Sequence, residues 1–267
     1  MLIMNEDNPN SLFSMDIELG KIVEEWTIHD DVPVTHIAPE SKFAQMTPQQ
    51  TLIGASGNAL YRIDPRVSGN KMVDSQFKQY TTKQKFSGIT TTEQGRLAVG
   101  SEKGEIRLFD AIGKNAKTAL PPLGDPIIGI DVTANGRYIV ATTKTYLLLI
   151  DTLIGDGKYA GSFGFDRSFP ANAKPVPKRL QLRGEHVAYM SNEVSFSPAR
   201  CEDSDPVPLH RLTLYVDSTW ARARRRMRSS PRQETMSLHG TLPRSRRASL
   251  TSTRSRSTSD HLESKHI

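Results

Sequence analysis

Apolar and polar positions alternate in short runs over the first two hundred or so residues, and the runs come in pairs. Leu97-Ala98-Val99-Gly100 is followed by a polar turn, Ser101-Glu102-Lys103-Gly104, and then by Glu105-Ile106-Arg107-Leu108-Phe109-Asp110. Forty-one positions after Gly95, Gly136 opens Arg137-Tyr138-Ile139-Val140-Ala141, the polar turn Thr142–Thr145, and Tyr146-Leu147-Leu148-Leu149-Ile150-Asp151. The two stretches align without a gap. Each predicts strand, tight turn, strand, and each ends on an acid. Leu52 to Asp64 fits the same frame, with Gly54 matching Gly100 and Asp64 matching Asp110. A looser copy opens the chain: Leu2-Ile3, a turn through Asn8-Pro9-Asn10, then Leu12 to Asp16.

The closing acids Asp16, Asp64, Asp110 and Asp151 recur at intervals of 48, 46 and 41 positions. Paired strands with a period near 40 predict β-propeller blades of the WD40 kind, with surface loops of unequal length accounting for the drift. Lys21 to Ile28 alternates as an outer strand. Lys85 to Thr90 and Pro126 to Val132 read as innermost strands, where Gly88 and Gly129 allow neighbouring backbones to approach. Beyond Pro170, Pro175 and Pro177, Arg179 to Leu182 and Gly184 to Met190 read as a fifth, partial copy. The predicted fold is all-β: an incomplete WD40-like propeller of about four to five blades over residues 1–200. A ring of seven blades at ~40 residues each is out of reach for that length. Open ends therefore predict self-association through strand edges and through apolar faces that include Leu12, Phe13, Val187 and Tyr189.

Composition changes the picture after Cys201. Apolar residues make up 36% of the 267-residue chain, and the net charge of +6 gathers in runs such as Ala221 to Arg228 and Arg254 to Ser259. Too few apolar residues remain there to offset a chain entropy of roughly 1–2 kcal/mol per residue, which predicts a disordered, Arg/Ser-rich tail over 201–267. Its arginines raise the rival function, a nucleic-acid-associated protein gripping phosphates weakly and salt-sensitively. Aromatic residues for base stacking are sparse, only Tyr215 and Trp220 lying upstream of the first arginine run. Arg246-Arg247-Ala248-Ser249-Leu250 makes Ser249 a candidate phosphorylation site. The lone Cys201 excludes an internal disulfide and a cysteine-based zinc site, and is expected to be an inert, exposed thiol. The N-terminus lacks the basic start and apolar core of a signal peptide, and the longest apolar run is too short to span a bilayer. A cytoplasmic protein with no membrane span is expected.

The chemistry expected is structural. An acid that closes a strand in every repeat suits a turn acceptor for backbone N–H groups, so Asp16, Asp64, Asp110 and Asp151 are predicted turn acids with no catalytic role. No catalytic, cofactor-binding or metal-ligating set emerges. His29 and His36 lack the further ligands a metal needs, and Gly155-Asp156-Gly157-Lys158 lacks the spacing of a phosphate loop. The Trp that usually precedes such an acid is Met15, Ile63, Phe109 or Ile150, so apolar packing is expected to hold the blades.

Several dispersed stretches resemble one family: Phe86 to Thr90 through Gly95 to Ser101, Gly104 to Asp110, Leu123 to Ile127, Phe169-Pro170-Ala171 and Val194 to Arg200. They are similar to the C-terminal WD40-like domain of the vacuolar import and degradation protein 27 family, over roughly residues 1–200. The resemblance implies a cytoplasmic eukaryotic protein, found mainly in fungi and plants and linked by name to delivery of cytosolic enzymes for vacuolar degradation. It also implies the absence of enzymatic activity. The expected function is therefore a non-catalytic scaffold that binds other proteins.

Overall fold

The apolar runs are nearly continuous because the strands that carry them are covered on both faces. The computed structural model describes residues 1–44, 50–81, 85–182, 184, 187 and 195–201. Among these, fifteen strands form four antiparallel sheets. The first sheet holds β1 (Leu2–Met4), β2 (Ser11–Asp16) and β3 (Lys21–Thr27). The second runs from β4 (His36–Pro39) through β5 (Leu52–Ser56) and β6 (Ala59–Ile63) to β7 (Met72–Gln79). The third holds β8 (Phe86–Thr91), β9 (Leu97–Ser101), β10 (Ile106–Phe109) and β11 (Thr118–Leu120). The fourth holds β12 (Gly129–Val132), β13 (Tyr138–Thr142), β14 (Tyr146–Asp151) and β15 (Lys178–Gln181).

In the second, third and fourth sheets strand order follows chain order, so each is an up-and-down meander. The recurring hairpin of the sequence is β5–β6, β9–β10 and β13–β14, the middle of each blade. The turn that precedes it repeats as well. Gly95 N–H donates to Thr92 O at 3.1 Å and Gly136 N–H to Thr133 O at 2.8 Å, with φ of +75° and +80°. In the last hairpin a threonine side chain braces the turn: Thr143 Oγ1 donates to Tyr146 O at 2.8 Å and accepts from Tyr146 N–H at 3.2 Å.

Blades stack through alternating side chains. Leu12, Ile28, Tyr61, Ile63 and Met72 fill the space between the first and second sheets. Ile53, Leu60, Leu97, Val99 and Phe109 fill the next. Ala98, Ile106 and Leu108 turn the opposite way and meet Ile139, Ala141, Leu148 and Ile150 of the fourth. The other face of that sheet, Val140, Leu147 and Leu149, is covered by Phe196, Ala199 and Cys201. Tyr146 to Ile150 thus has no polar interruption because consecutive residues serve two different interfaces.

Three expectations change. Lys178–Gln181 does not begin a fifth copy; it pairs with β14, Leu147 facing Leu180, and completes the fourth blade as its outer strand. Cys201 is buried against β13 and β14, not an exposed thiol. Leu12 is fully buried under the second sheet, while Phe13 is half-buried and Val187 is exposed. Tyr189, Ser249 and the Arg/Ser-rich stretch from 202 onward lie outside the described residues.

Candidate functional site

The innermost strands β4, β8 and β12 border an open groove of about 570 Å³, joined by Met4, Pro198, Arg200 and Cys201. Glycine brings these strands together. A methyl group on Gly88 would lie 3.2 Å from Ile130 Cγ2, and one on Gly129 would lie 2.5 Å from Pro198 Cβ and 3.0 Å from its Cα. Glycines forty-one positions apart on consecutive inner strands thus each receive a residue from the next segment of chain, and a side chain at Gly129 would push that segment away.

Asp131, on β12, is the chemical centre of the groove. Its carboxylate is 5% exposed and accepts hydrogen bonds from Thr90 Oγ1 at 3.0 Å, Val132 N–H at 2.9 Å and Cys201 N–H at 2.6 Å. Lys42 Nζ lies 3.3 Å from Oδ1 and also donates to the Val132 carbonyl. One carboxylate therefore ties the loop after β4, strand β8, strand β12 and the Ser195–Cys201 stretch. A buried charge persists only when it is paired and hydrogen-bonded in this way. A parallel arrangement flanks it, where Glu40 accepts from the Arg62 guanidinium and the Thr51 hydroxyl. Neither acid belongs to the recurring set read from the sequence. The available signal was an aspartate inside an apolar inner strand, at the position of Thr90 in the previous blade.

The four recurring acids are not gathered at the groove; each sits at, or one residue past, the end of the last strand but one of its own sheet. Asp16 Oδ1 accepts from Glu18 N–H at 2.8 Å and Leu19 N–H at 3.3 Å. Asp64 accepts from Arg66 N–H at 3.0 Å and from its guanidinium at 2.9 and 2.8 Å. Asp110 accepts from Ala111 N–H at 3.0 Å and pairs with Lys114 at 3.2 Å, and Asp151 accepts from Leu153 N–H at 3.0 Å. Hydrogen bonds from the Arg66 side chain hold the Asp64 carboxyl below its ordinary range. For Asp110, burial pushes upward, but Lys114 and Lys117 outweigh it and the net direction is down.

His29 and His36 do not meet. His29 Nδ1 accepts from Asp31 N–H at 3.1 Å, whereas His36 sits half-buried on β4, where burial lowers its pKa against an opposing pull from Glu102. Among the described residues no group of three or more His, Cys, Asp or Glu is placed to hold a metal ion. Gly155 to Lys158 forms an exposed loop between the bridge partners Leu153 and Phe163.

These shifts set an acid dependence. A carboxyl whose folded pKa is depressed contributes stability above its unfolded pKa near 4, and loses it as pH falls through the folded value. His36, depressed from about 6.5, begins to cost stability sooner, as pH drops below that value. Acid titration of thermal unfolding is therefore expected to show one decline below about pH 6.5 and a second below about pH 4. Asp64→Asn with Asp110→Asn should flatten the second at a cost of about 0.5–1.5 kcal/mol each at neutral pH, and His36→Gln should flatten the first. Unchanged slopes in these variants would contradict the assignment.

Comparison with known proteins agrees with this geometry. The family description "VID27 C-terminal WD40-like domain" matches residues 1–206. The chain is 59% identical over 204 residues to vacuolar import and degradation protein 27 of Schizosaccharomyces pombe, across 75% of this chain and 26% of that protein. It is 44% identical over 204 residues to the Saccharomyces cerevisiae protein of the same name, across 74% and 26%. The chain thus spans about a quarter of the length of these curated relatives. Among solved structures, Raptor of Chaetomium thermophilum superposes with a TM-score of 0.50 at 11% identity, over 82% of this chain and 17% of that one, a likeness of fold. Among the described residues no helix is long and apolar enough to cross a membrane.

Proposed function

The chain belongs to the vacuolar import and degradation protein 27 family, and from that membership we propose that it is a non-catalytic, cytoplasmic scaffold that binds other proteins through its stacked blades. WD40-like domains and the relatives' names support a protein-interaction role; the link to vacuolar import and degradation is carried from those names. The observation that supports the reading most is the saturation of Asp131. Its two oxygens face Lys42, Thr90, Val132 N–H and Cys201 N–H, so the acid that lines the groove is occupied in joining blades. The recurring acids serve as turn acceptors in the same reading, each bonded to a backbone N–H within three residues.

Co-precipitation with the full chain tests this, at low and at high salt and with or without residues 202–267. Blade-mediated partners survive both high salt and removal of the Arg/Ser-rich stretch. Contact through arginines and phosphates weakens steeply with salt and disappears with that stretch. Loss of every partner under both conditions would favour the nucleic-acid reading and reject the scaffold.

A further inference from the structure

Outer blade strands are edges, and three of the four described here are blunted. Strand β11 has three residues, β15 begins with Lys178 and Arg179, and β7 breaks register against β6 between Leu60 and Arg62. Short length, positive charge and bulges are the usual protections of an edge. Strand β3 differs. It runs for seven residues at the outer side of the first sheet, where, among the described residues, Lys71 N–H caps its last carbonyl, Thr27 O, at 2.9 Å.

The hairpin that carries β3 is also the most apolar exposed surface among the described residues. Ile17 is 71% exposed, Leu19 70%, Ile22 59% and Val23 62%. The register shift opposite Ser14 and Met15 leaves Val23 without a partner on β2, which breaks the alternation and exposes Ile22 and Val23 together. Asp16, Glu18, Glu24 and Glu25 surround these residues, against Lys21 alone. Four aliphatic side chains within seven positions, ringed by acids, mark an interaction site.

We propose that β3 and its hairpin dock an extended segment of a partner protein, one that alternates apolar with basic residues and adds to the sheet as a further strand. Strand addition supplies main-chain hydrogen bonds from the open edge, and side chains set the choice of partner. The acids decide that choice. A second copy of this chain would offer β3 a single basic residue, Lys21, against Glu24 and Glu25, and an anionic lipid surface would be repelled, whereas lysine or arginine at alternate positions would be paired throughout. The proposal rests on the scaffold reading only in requiring a protein partner; the surface is separate from the inner-strand groove.

Fluorescence anisotropy at physiological salt tests it, with the full chain titrated into a labelled synthetic peptide alternating valine with lysine. Peptides alternating valine with glutamate, and glycine with lysine, are the comparisons. The valine–lysine peptide should bind saturably and the other two should not. Glu24→Lys with Glu25→Lys should weaken binding about tenfold or more, as should Ile22→Ser with Val23→Ser. All four side chains are exposed, so circular dichroism should show the fold intact in both variants. Absent saturable binding, equal binding of the glycine–lysine peptide, or binding unchanged in both variants would overturn the proposal. If peptide binding fails while salt-resistant partners remain, the edge assignment falls and the scaffold reading stands.

Discussion

Asp131→Ala is expected to destabilise the protein by about 3–5 kcal/mol, the largest effect of any polar substitution in the groove. The substitution removes one acceptor but strands several donors. The Lys42 ammonium, 14% exposed, loses its carboxylate, and the Thr90 hydroxyl and the N–H groups of Val132 and Cys201 lose their acceptor. An ion pair in water is worth far less; here, the loss of a carboxylate partner and of three hydrogen bonds at low exposure adds together. Asp131→Asn separates the two parts, because its amide oxygen still accepts from Thr90 and Val132 while the charge is gone. It should cost less than the alanine variant. Denaturant unfolding of the three proteins measures the order, and an alanine variant within about 1 kcal/mol of the parent would show that the network does not hold the blades.

Phe109→Ala is expected to cost about 3–5 kcal/mol. Phe109 is 1% exposed at the end of β10, in the position where WD40 repeats usually carry tryptophan. Its ring centroid lies 5.4 Å from that of Tyr80 at a tilt of 53°, and the same cluster contains Ile53, Leu60, Leu97 and Val99. Two sheets therefore lose contact at once when the ring is deleted, and the surrounding strands are pinned by their own ladders and cannot close the cavity. Phe109→Leu keeps most of the volume and should recover much of the loss. A small effect of Phe109→Ala would mean that the second and third sheets are not packed on one another.

Much of this architecture is legible in the chain itself. The middle hairpins follow directly from the pairing of Leu97 to Gly100 with Ile106 to Phe109 and its repeat forty-one positions on, because adjacent strands joined by tight turns are local in sequence. Gly88 and Gly129 mark inner strands for the same reason: close approach leaves a trace in residue type. The Asp131 network leaves one trace, the aspartate itself inside an apolar inner strand, and none of its partners. Its partners Lys42, Thr90 and Cys201 lie 89, 41 and 70 positions away, and nothing in their own neighbourhoods points to one another. Strand β15 was misplaced because the stretch from Thr152 to Pro177 carries no long strand to anchor the count, so Lys178–Gln181 reads equally as the end of one blade or the start of another. Cys201 reads as exposed because the Arg/Ser-rich composition begins beside it, whereas its burial depends on Phe196 and Ala199 packing on β13 and β14.

The central claim is that successive sheets are blades whose inner strands touch through glycine, not hairpins strung along a chain. Nuclear Overhauser contacts from each inner-strand glycine to the segment packed beside it test it most directly, since no covalent neighbour can produce them. The Gly88 α-protons should show cross-peaks to the Ile130 Cγ2 methyl, and the Gly129 α-protons should show them to Pro198. Cross-peaks within each hairpin, such as Ile139 to Ile150, accompanied by none between Gly88 and Ile130 or between Gly129 and Pro198, would contradict the propeller arrangement.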